Sequence, residues 1–299
     1  MKILSFGSMN IDNTYSVDEF VQPGETMTAK NLSKFCGGKG LNQSIALASA
    51  GADVAHFGCV GEDGDILLDM LKSRGVNTDS VIKIDNITSG HAIIQVDSHG
   101  QNSILLYPGA NRRMTPELID RELEKYSCGD WLLIQNETNC LEYIMRAANK
   151  KGMKIAFNPS PMDGTVSTLP LELVDLFLVN EIEGAAVTGK EITEEITAEF
   201  EKLFPNAAVI LTLGKKGSIF KSEKDMLFQP SYCGTVKDTT GAGDTYTGFF
   251  IANYINGVSP QECMRIAAMA STVQISRDGA AIAIPKKQEV LNALKNHCR

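Results

Sequence analysis

The sequence is poor in the residues that most directly reactive sites need. Its four histidines, His56, His91, His99 and His297, stand far apart, and no H-E-x-x-H or G-x-S-x-G stretch occurs. Neither a zinc peptidase nor a nucleophile-elbow hydrolase is therefore indicated. Seven cysteines, Cys36, Cys59, Cys128, Cys140, Cys233, Cys263 and Cys298, are an odd number without a CxxC pair. That spacing indicates neither a zinc site nor a disulfide framework and makes reduced intracellular thiols the expectation. Positive charge is also short: 28 Lys and Arg against 36 Asp and Glu leave a net charge of -8. A surface for nucleic acid or acidic membrane is disfavoured, although a local pocket for a phosphorylated small molecule is not. No apolar run reaches the roughly 18 residues of a membrane span, and residues 1–7 carry no signal-peptide core. A cytoplasmic protein with no membrane partner is the expectation.

What the chain does have is ordinary globular composition, 43% hydrophobic over 299 residues, without an internal repeat or interdomain linker. Strand-like runs at 2–7, 54–60, 131–135, 153–157, 176–179 and 207–213 alternate with helical patterns at 65–74, 116–125, 140–150, 181–188 and 192–203. Further helices are expected at 241–255, 260–275 and 287–297, and another opens at Gly37-Gly38-Lys39-Gly40. Two β excursions, 13–36 around Gln22-Pro23-Gly24-Glu25 and the hairpin 91–96/103–107, interrupt the alternation and suggest a small accessory sheet. The pattern predicts a doubly wound, mostly parallel α/β sheet with helices on both faces.

The chemistry gathers at Asp238-Thr239-Thr240-Gly241-Ala242-Gly243-Asp244, which leads into the largely apolar residues 245–255. A glycine loop opening a helix offers unpaired N–H groups and the positive end of the helix dipole to an anion. Asp244 would then stand beside an anion, where a carboxylate needs a task such as taking a proton; a plain turn with a first-turn acid is the structural alternative. In an open parallel sheet, ligands bind beyond the carboxyl ends of the strands. The residues expected there are Asn10 and Asp12, Glu137, Asn158, Asn180 with Glu183, and Thr212 with Gly214. Two look-alike motifs fail. Gly184–Lys190 fits G-x-x-x-x-G-K, but Glu191 stands where Ser or Thr is required. Gly38-Lys39-Gly40-Leu41-Asn42-Gln43 lacks the last glycine of a dinucleotide fingerprint.

Taken in order, Gly7-Ser8-Met9-Asn10-Ile11-Asp12, Pro23-Gly24-Glu25-Thr26, Gly37–Gln43, Gly109-Ala110-Asn111, Asn180-Glu181-Ile182-Glu183, Thr212–Gly217 and Asp238–Asp244 resemble the motifs of the PfkB carbohydrate kinases, in particular their ribokinase branch. The likeness runs from residue 7 to about residue 285. It implies one α/β domain over 1–299 with a β lid formed by about 12–36 and 88–109, the lid also serving as a homodimer contact. It further implies an ATP- and Mg²⁺-dependent transfer of the γ-phosphoryl group to the primary hydroxyl of a small sugar, D-ribose giving D-ribose 5-phosphate.

Carried over position by position, Asn10, Asp12, Gly38, Lys39, Asn42 and Glu137 would bind sugar hydroxyls and Asp244 would be the base. Gly241, Ala242 and Gly243 would donate to the transferring phosphoryl group. Asn180 and Glu183 would organise magnesium and phosphate, with Thr212 and Gly214 at the nucleotide. A monovalent cation, K⁺, would be held by Asp238 and the carbonyls of Thr240, Gln274, Arg277 and Gly279. Ala283 stands where the branch usually offers a serine hydroxyl. Deoxyribose, fructose or a nucleoside is the alternative acceptor. A non-catalytic sugar or nucleotide sensor is a reading of another class, against which the retained Asp244 speaks.

Overall fold

The computed structural model describes residues 1–297; Cys298, one of the expected reduced thiols, lies outside the described residues. Along the chain come β1 (Ile3–Phe6), β2 (Asn10–Ser16), β3 (Asn31–Gly37), α1 (Lys39–Ala50), β4 (Val54–Val60), α2 (Asp65–Ser73), β5 (Val81–Lys83), β6 (Gly90–Val96) and β7 (Asn102–Tyr107). The middle holds α3 (Pro116–Leu123), β8 (Trp131–Gln135), α4 (Leu141–Lys150), β9 (Lys154–Asn158), β10 (Leu176–Asn180), α5 (Glu181–Thr188) and α6 (Thr193–Leu203). The last third holds β11 (Ala208–Thr212), β12 (Gly217–Lys221), β13 (Met226–Pro230), α7 (Ala242–Tyr254), α8 (Pro260–Gln274) and α9 (Lys287–His297).

Nine strands form the main sheet in the order β13-β12-β11-β10-β9-β8-β1-β4-β5, parallel from β11 to β5. Successive strand residues feed opposite cores. Ile3 and Leu133 pack with α1, α7 and α8 on one face, whereas Leu4, Phe6 and Ile134 pack with α3, α4 and α6 on the other. Burial on both faces explains why these strands read as continuous apolar runs.

A second sheet, β3-β2-β6-β7, is built from both β excursions, with β2 parallel to β6 and antiparallel to β3. Sequence reasoning set Asn10 and Asp12 just past β1. Both lie inside β2, where Asn10 pairs with Gly37 and Gly90, so they belong to the small sheet where it meets the main one. The sequence reading also lacked β5 and the β12–β13 hairpin. β5 has only three residues, and β12–β13 departs from the parallel pattern by adding an antiparallel edge, turned at Ser222 by its N–H to the Asp225 carbonyl (2.9 Å).

Helix α7 is buried from Asp244 through Asn253, as expected of a helix apolar on all sides and wedged between neighbours. Gly248 lets it lie against α1: a Cβ there would collide with Ala46. This crossing positions the site, because it brings the first turns of the two helices together.

Candidate active site

The first turn of α7 begins at Gly241, whose φ of 78° is left-handed backbone that glycine reaches without a Cβ penalty. The Ala242 N–H bends back to the Thr239 carbonyl (3.2 Å). Gly243 and Asp244 are therefore the first-turn positions left with no carbonyl one turn earlier. A Cβ added to Gly243 would meet nothing within 4 Å, so protein packing does not require glycine there. The open space lies in a cavity of about 240 Å³, lined also by Lys39, Asn158, Asn180, Glu183 and Thr212.

Asp244 borders this cavity, 8% exposed. Asn42 Nδ2 donates to its Oδ2 (3.1 Å) and Gln43 Nε2 to its Oδ1 (2.9 Å). Gln43 Nε2 also donates to Asn158 Oδ1 (3.1 Å), and its Oε1 accepts from Gln135 Nε2 (2.7 Å). The carboxylate is thus fixed by neutral donors on α1, with no cation paired to it by these bonds. Gln43 and Gln135 were missed as site residues, and Asn158 was read as a strand-end residue without a role. Gln43 sits inside the Gly37–Gln43 motif, which was the available signal.

On the small-sheet side, Asn10 Oδ1 accepts from Asn111 Nδ2 (2.7 Å), and Asn111 also binds the Met9 backbone through N–H and carbonyl (3.0 and 3.2 Å). Gly90 must lack a side chain, since a Cβ would strike both amides. Asp12 lies against Gly37 for the same reason. Gly38, with φ 92°, turns the chain into α1. Glu137 Oε2 accepts from the Lys39 N–H (2.9 Å) and from the Ser8 hydroxyl, a further partner that sequence reasoning passed over. Burial, with nearby Glu137, pushes the Asp12 carboxyl up to about 7. Burial also raises Glu137, against the opposing pull of Ser8 and Lys39. For Lys39, burial works against the charge, but Asp244, Glu137 and Glu183 outweigh it and raise the ammonium above its usual value. A cation among three carboxylates, beside polar groups of fixed direction, suits a polyhydroxylated ligand next to a phosphate.

Opposite lies a capping box: Asn180 Oδ1 accepts from the Glu183 N–H (2.9 Å), and Glu183 Oε2 accepts from the Asn180 N–H (3.0 Å). Asn158 Nδ2 anchors to the Leu178 carbonyl (2.8 Å) and lies 3.5 Å from Glu183 Oε2. Thr212 Oγ1 donates to the Val179 carbonyl (3.3 Å). Gly214, with φ 54°, starts the turn beyond β11 and is not among the residues around the cavity. No cluster of three or more His, Cys, Asp or Glu able to hold a metal occurs among the described residues. The donor set still fits Mg²⁺, which binds through one or two carboxylates, water and substrate phosphates instead of an all-protein cage. Asp244 and Glu183 both border the cavity.

The residues expected around K⁺ do converge behind the α7 terminus, but the oxygens of Asp238, Thr240, Gly279 and Gln274 already meet protein donors, the Gln274 carbonyl accepting from the Arg277 N–H (3.0 Å). Asp238 accepts from the Thr240 and Gly279 N–H groups (2.8 and 2.9 Å), and Gln274 Nε2 donates to the carbonyls of Thr240 and Gly279. This donor set does not fit a bare cation.

A carboxylate at a glycine-rich helix terminus, between a side of fixed polar groups and a side whose donors fit phosphate and metal, is an arrangement suited to a phosphotransferase acting on an alcohol. The pattern describing pfkB family carbohydrate kinases matches residues 1–287. The chain belongs to that family and is a carbohydrate kinase. It is 33% identical over 298 residues to a ribokinase of Haemophilus influenzae, covering 97% of each chain. Its structure resembles an Arabidopsis thaliana ribokinase complexed with ribose and ATP, with TM-score 0.86, 29% identity and 98% of each chain covered. A Cryptococcus neoformans ribokinase in complex with ADP gives TM-score 0.86 at 31% identity, covering 97% of this chain and 99% of that one.

Proposed function

We propose that the chain is an ATP-dependent ribokinase that converts D-ribose to D-ribose 5-phosphate. The observation that carries this is Asp244, held through both oxygens by Asn42 and Gln43 at the α7 terminus, in the cavity it shares with Asn180 and Glu183. Asn10, Asp12, Lys39, Asn42 and Glu137 bind the sugar hydroxyls and so point the primary hydroxyl at the cavity. Asp244 takes its proton as the oxygen attacks the γ-phosphorus, which contributes about 10²–10⁴ in rate. The N–H groups of Gly241 and Gly243 meet the charge on the transferring phosphoryl oxygens, a preorganised role that costs no rearrangement, whereas the expected donor Ala242 has its N–H turned to the Thr239 carbonyl. Asn180 and Glu183 would hold Mg²⁺, Thr212 lines the nucleotide side of the cavity, and Gly214 starts the turn beyond β11. When bound, Mg²⁺ neutralises charge shared by the β- and γ-phosphates.

The small sheet acts as a lid over the sugar within a single domain, and its outer edge pairs two chains. Edge strand β7 leaves Ile104, Leu105, Leu106 and Tyr107 exposed, Leu105 by 68%. A run of that kind on an open edge is an interaction surface. The cytoplasm is the proposed compartment, consistent with the free state of the six described cysteines. Among the described residues no helix is long and apolar enough to cross a membrane.

The test is ADP release from Mg-ATP with a panel of ribose, deoxyribose, fructose and nucleosides. Ribose is expected to give the highest kcat/KM. A preference for deoxyribose replaces the substrate within the same chemistry, and no ADP with any acceptor contradicts the kinase reading.

A further inference from the structure

Gln274, the last residue of α8, is fully buried. Its Nε2 donates to the carbonyl of Thr240 in the anion loop and to that of Gly279 (3.3 Å), so one NH₂ group joins the two loops behind the α7 terminus. The same loops are joined a second time by Asp238, which accepts from Thr240 on one side and Gly279 on the other. Arg277 reaches the Ala283 carbonyl (3.4 Å), at the position that lacks a hydroxyl. A cation between the Thr240 and Gly279 carbonyls and an amide nitrogen bonded to both would occupy one space.

We propose that the Gln274 side-chain amide takes the place of a monovalent cation, tying the anion loop to the 275–283 loop and freeing phosphoryl transfer from a K⁺ requirement. An NH₂ group supplies two directed donors, which suits two converging carbonyls. The orientation of the amide follows from those partners. Turned over, Oε1 would face two acceptors and repel both, and only a cation between them would relieve it. Gln274 Oε1 has no partner among the described residues, a cost of burial that the two N–H bonds to the Thr240 and Gly279 carbonyls offset. Gln274 is thus a positioning residue: it touches no substrate and acts through the loop that carries Gly241–Gly243.

The inference rests on the kinase reading, and the experiment separates the two. Rates of ribose phosphorylation are compared in KCl and in tetramethylammonium chloride at matched ionic strength, for the wild type and Gln274→Ala, and thermal unfolding is followed in both salts. The wild-type rate is expected to change less than about twofold, whereas Gln274→Ala loses at least about tenfold in tetramethylammonium and recovers in K⁺. The variant alone gains a K⁺-dependent rise in Tm, because only it has room for the ion. Wild-type activation by K⁺ of about tenfold or more overturns the proposal. So does a Gln274→Ala loss that K⁺ leaves unrepaired, or a variant rate unchanged in both salts. If no acceptor is phosphorylated at all, the function fails, and the Tm comparison still decides the cation question.

Discussion

Gly248 of α7 and Ala46 of α1 meet where the two helices cross, and no side chain fits between them. One turn earlier on each helix, Asp244 accepts its hydrogen bonds from Asn42 and Gln43. The packing of two apolar helix faces therefore sets the direction of the carboxylate. Gly248→Ala is expected to destabilise by about 1–3 kcal/mol through overpacking and to lower kcat more than it raises KM. Urea unfolding and steady-state kinetics on the same variant check both. An unchanged kcat in a destabilised protein would separate the crossing from catalysis.

Gln43 joins Asp244 to Asn158 and thence toward Glu183. Removing its amide leaves buried partners unpaired, at about 1–3 kcal/mol. Gln43→Leu, which keeps the volume but not the bonds, is predicted to cut kcat by about tenfold with KM for ribose within a fewfold. A larger effect on KM than on kcat would place Gln43 in sugar binding instead.

Asp12 gives the pH dependence. Its carboxyl is raised to about 7 by burial and Glu137, and in the proposed sugar site it would accept a hydroxyl as a carboxylate. Since kcat/KM follows the free enzyme, it should rise up to about tenfold per pH unit below 7 and level off above. Asp12→Asn should lose that limb. The sign for stability is opposite. The folded state holds a proton that the unfolded chain releases near 3.8, so this group's contribution is fully present below that value and is lost as pH rises through about 7. A flat wild-type kcat/KM profile between pH 6 and 8 would remove Asp12 from this role.

Leu105, on the exposed edge strand, tests the pairing of lids. Leu105→Lys charges the edge and should shift a dimer to monomer in sedimentation velocity. A wild type that sediments as a monomer contradicts the pairing.

Much of this arrangement is legible in the sequence because it is local. The capping box is written in Asn180 and Glu183, three residues apart, and the anion loop in consecutive residues ending at Asp244. The alternation of buried strands with helices reveals the main sheet for the same reason. Gln43 is different: its bond to Asp244 spans 201 positions and depends on how α1 crosses α7. The β12–β13 hairpin is hard to read from sequence because its apolar runs, Ile219-Phe220 and Met226-Leu227-Phe228, are short and fall outside the strand–helix alternation. At Gln274, motif comparison assigned a backbone carbonyl, which any residue has. The side-chain amide matters only because the end of α8 aims it between two loops.

In the proposed reaction Asp244 takes the proton of the sugar hydroxyl while the rest of the site binds. The measurement is Asp244→Asn, with ADP release and ribose affinity determined on the same preparation. Ribose binding is expected within a fewfold of wild type, with turnover reduced at least about 10²-fold. Turnover near the wild-type rate, or loss of binding equal to the loss of turnover, would contradict it.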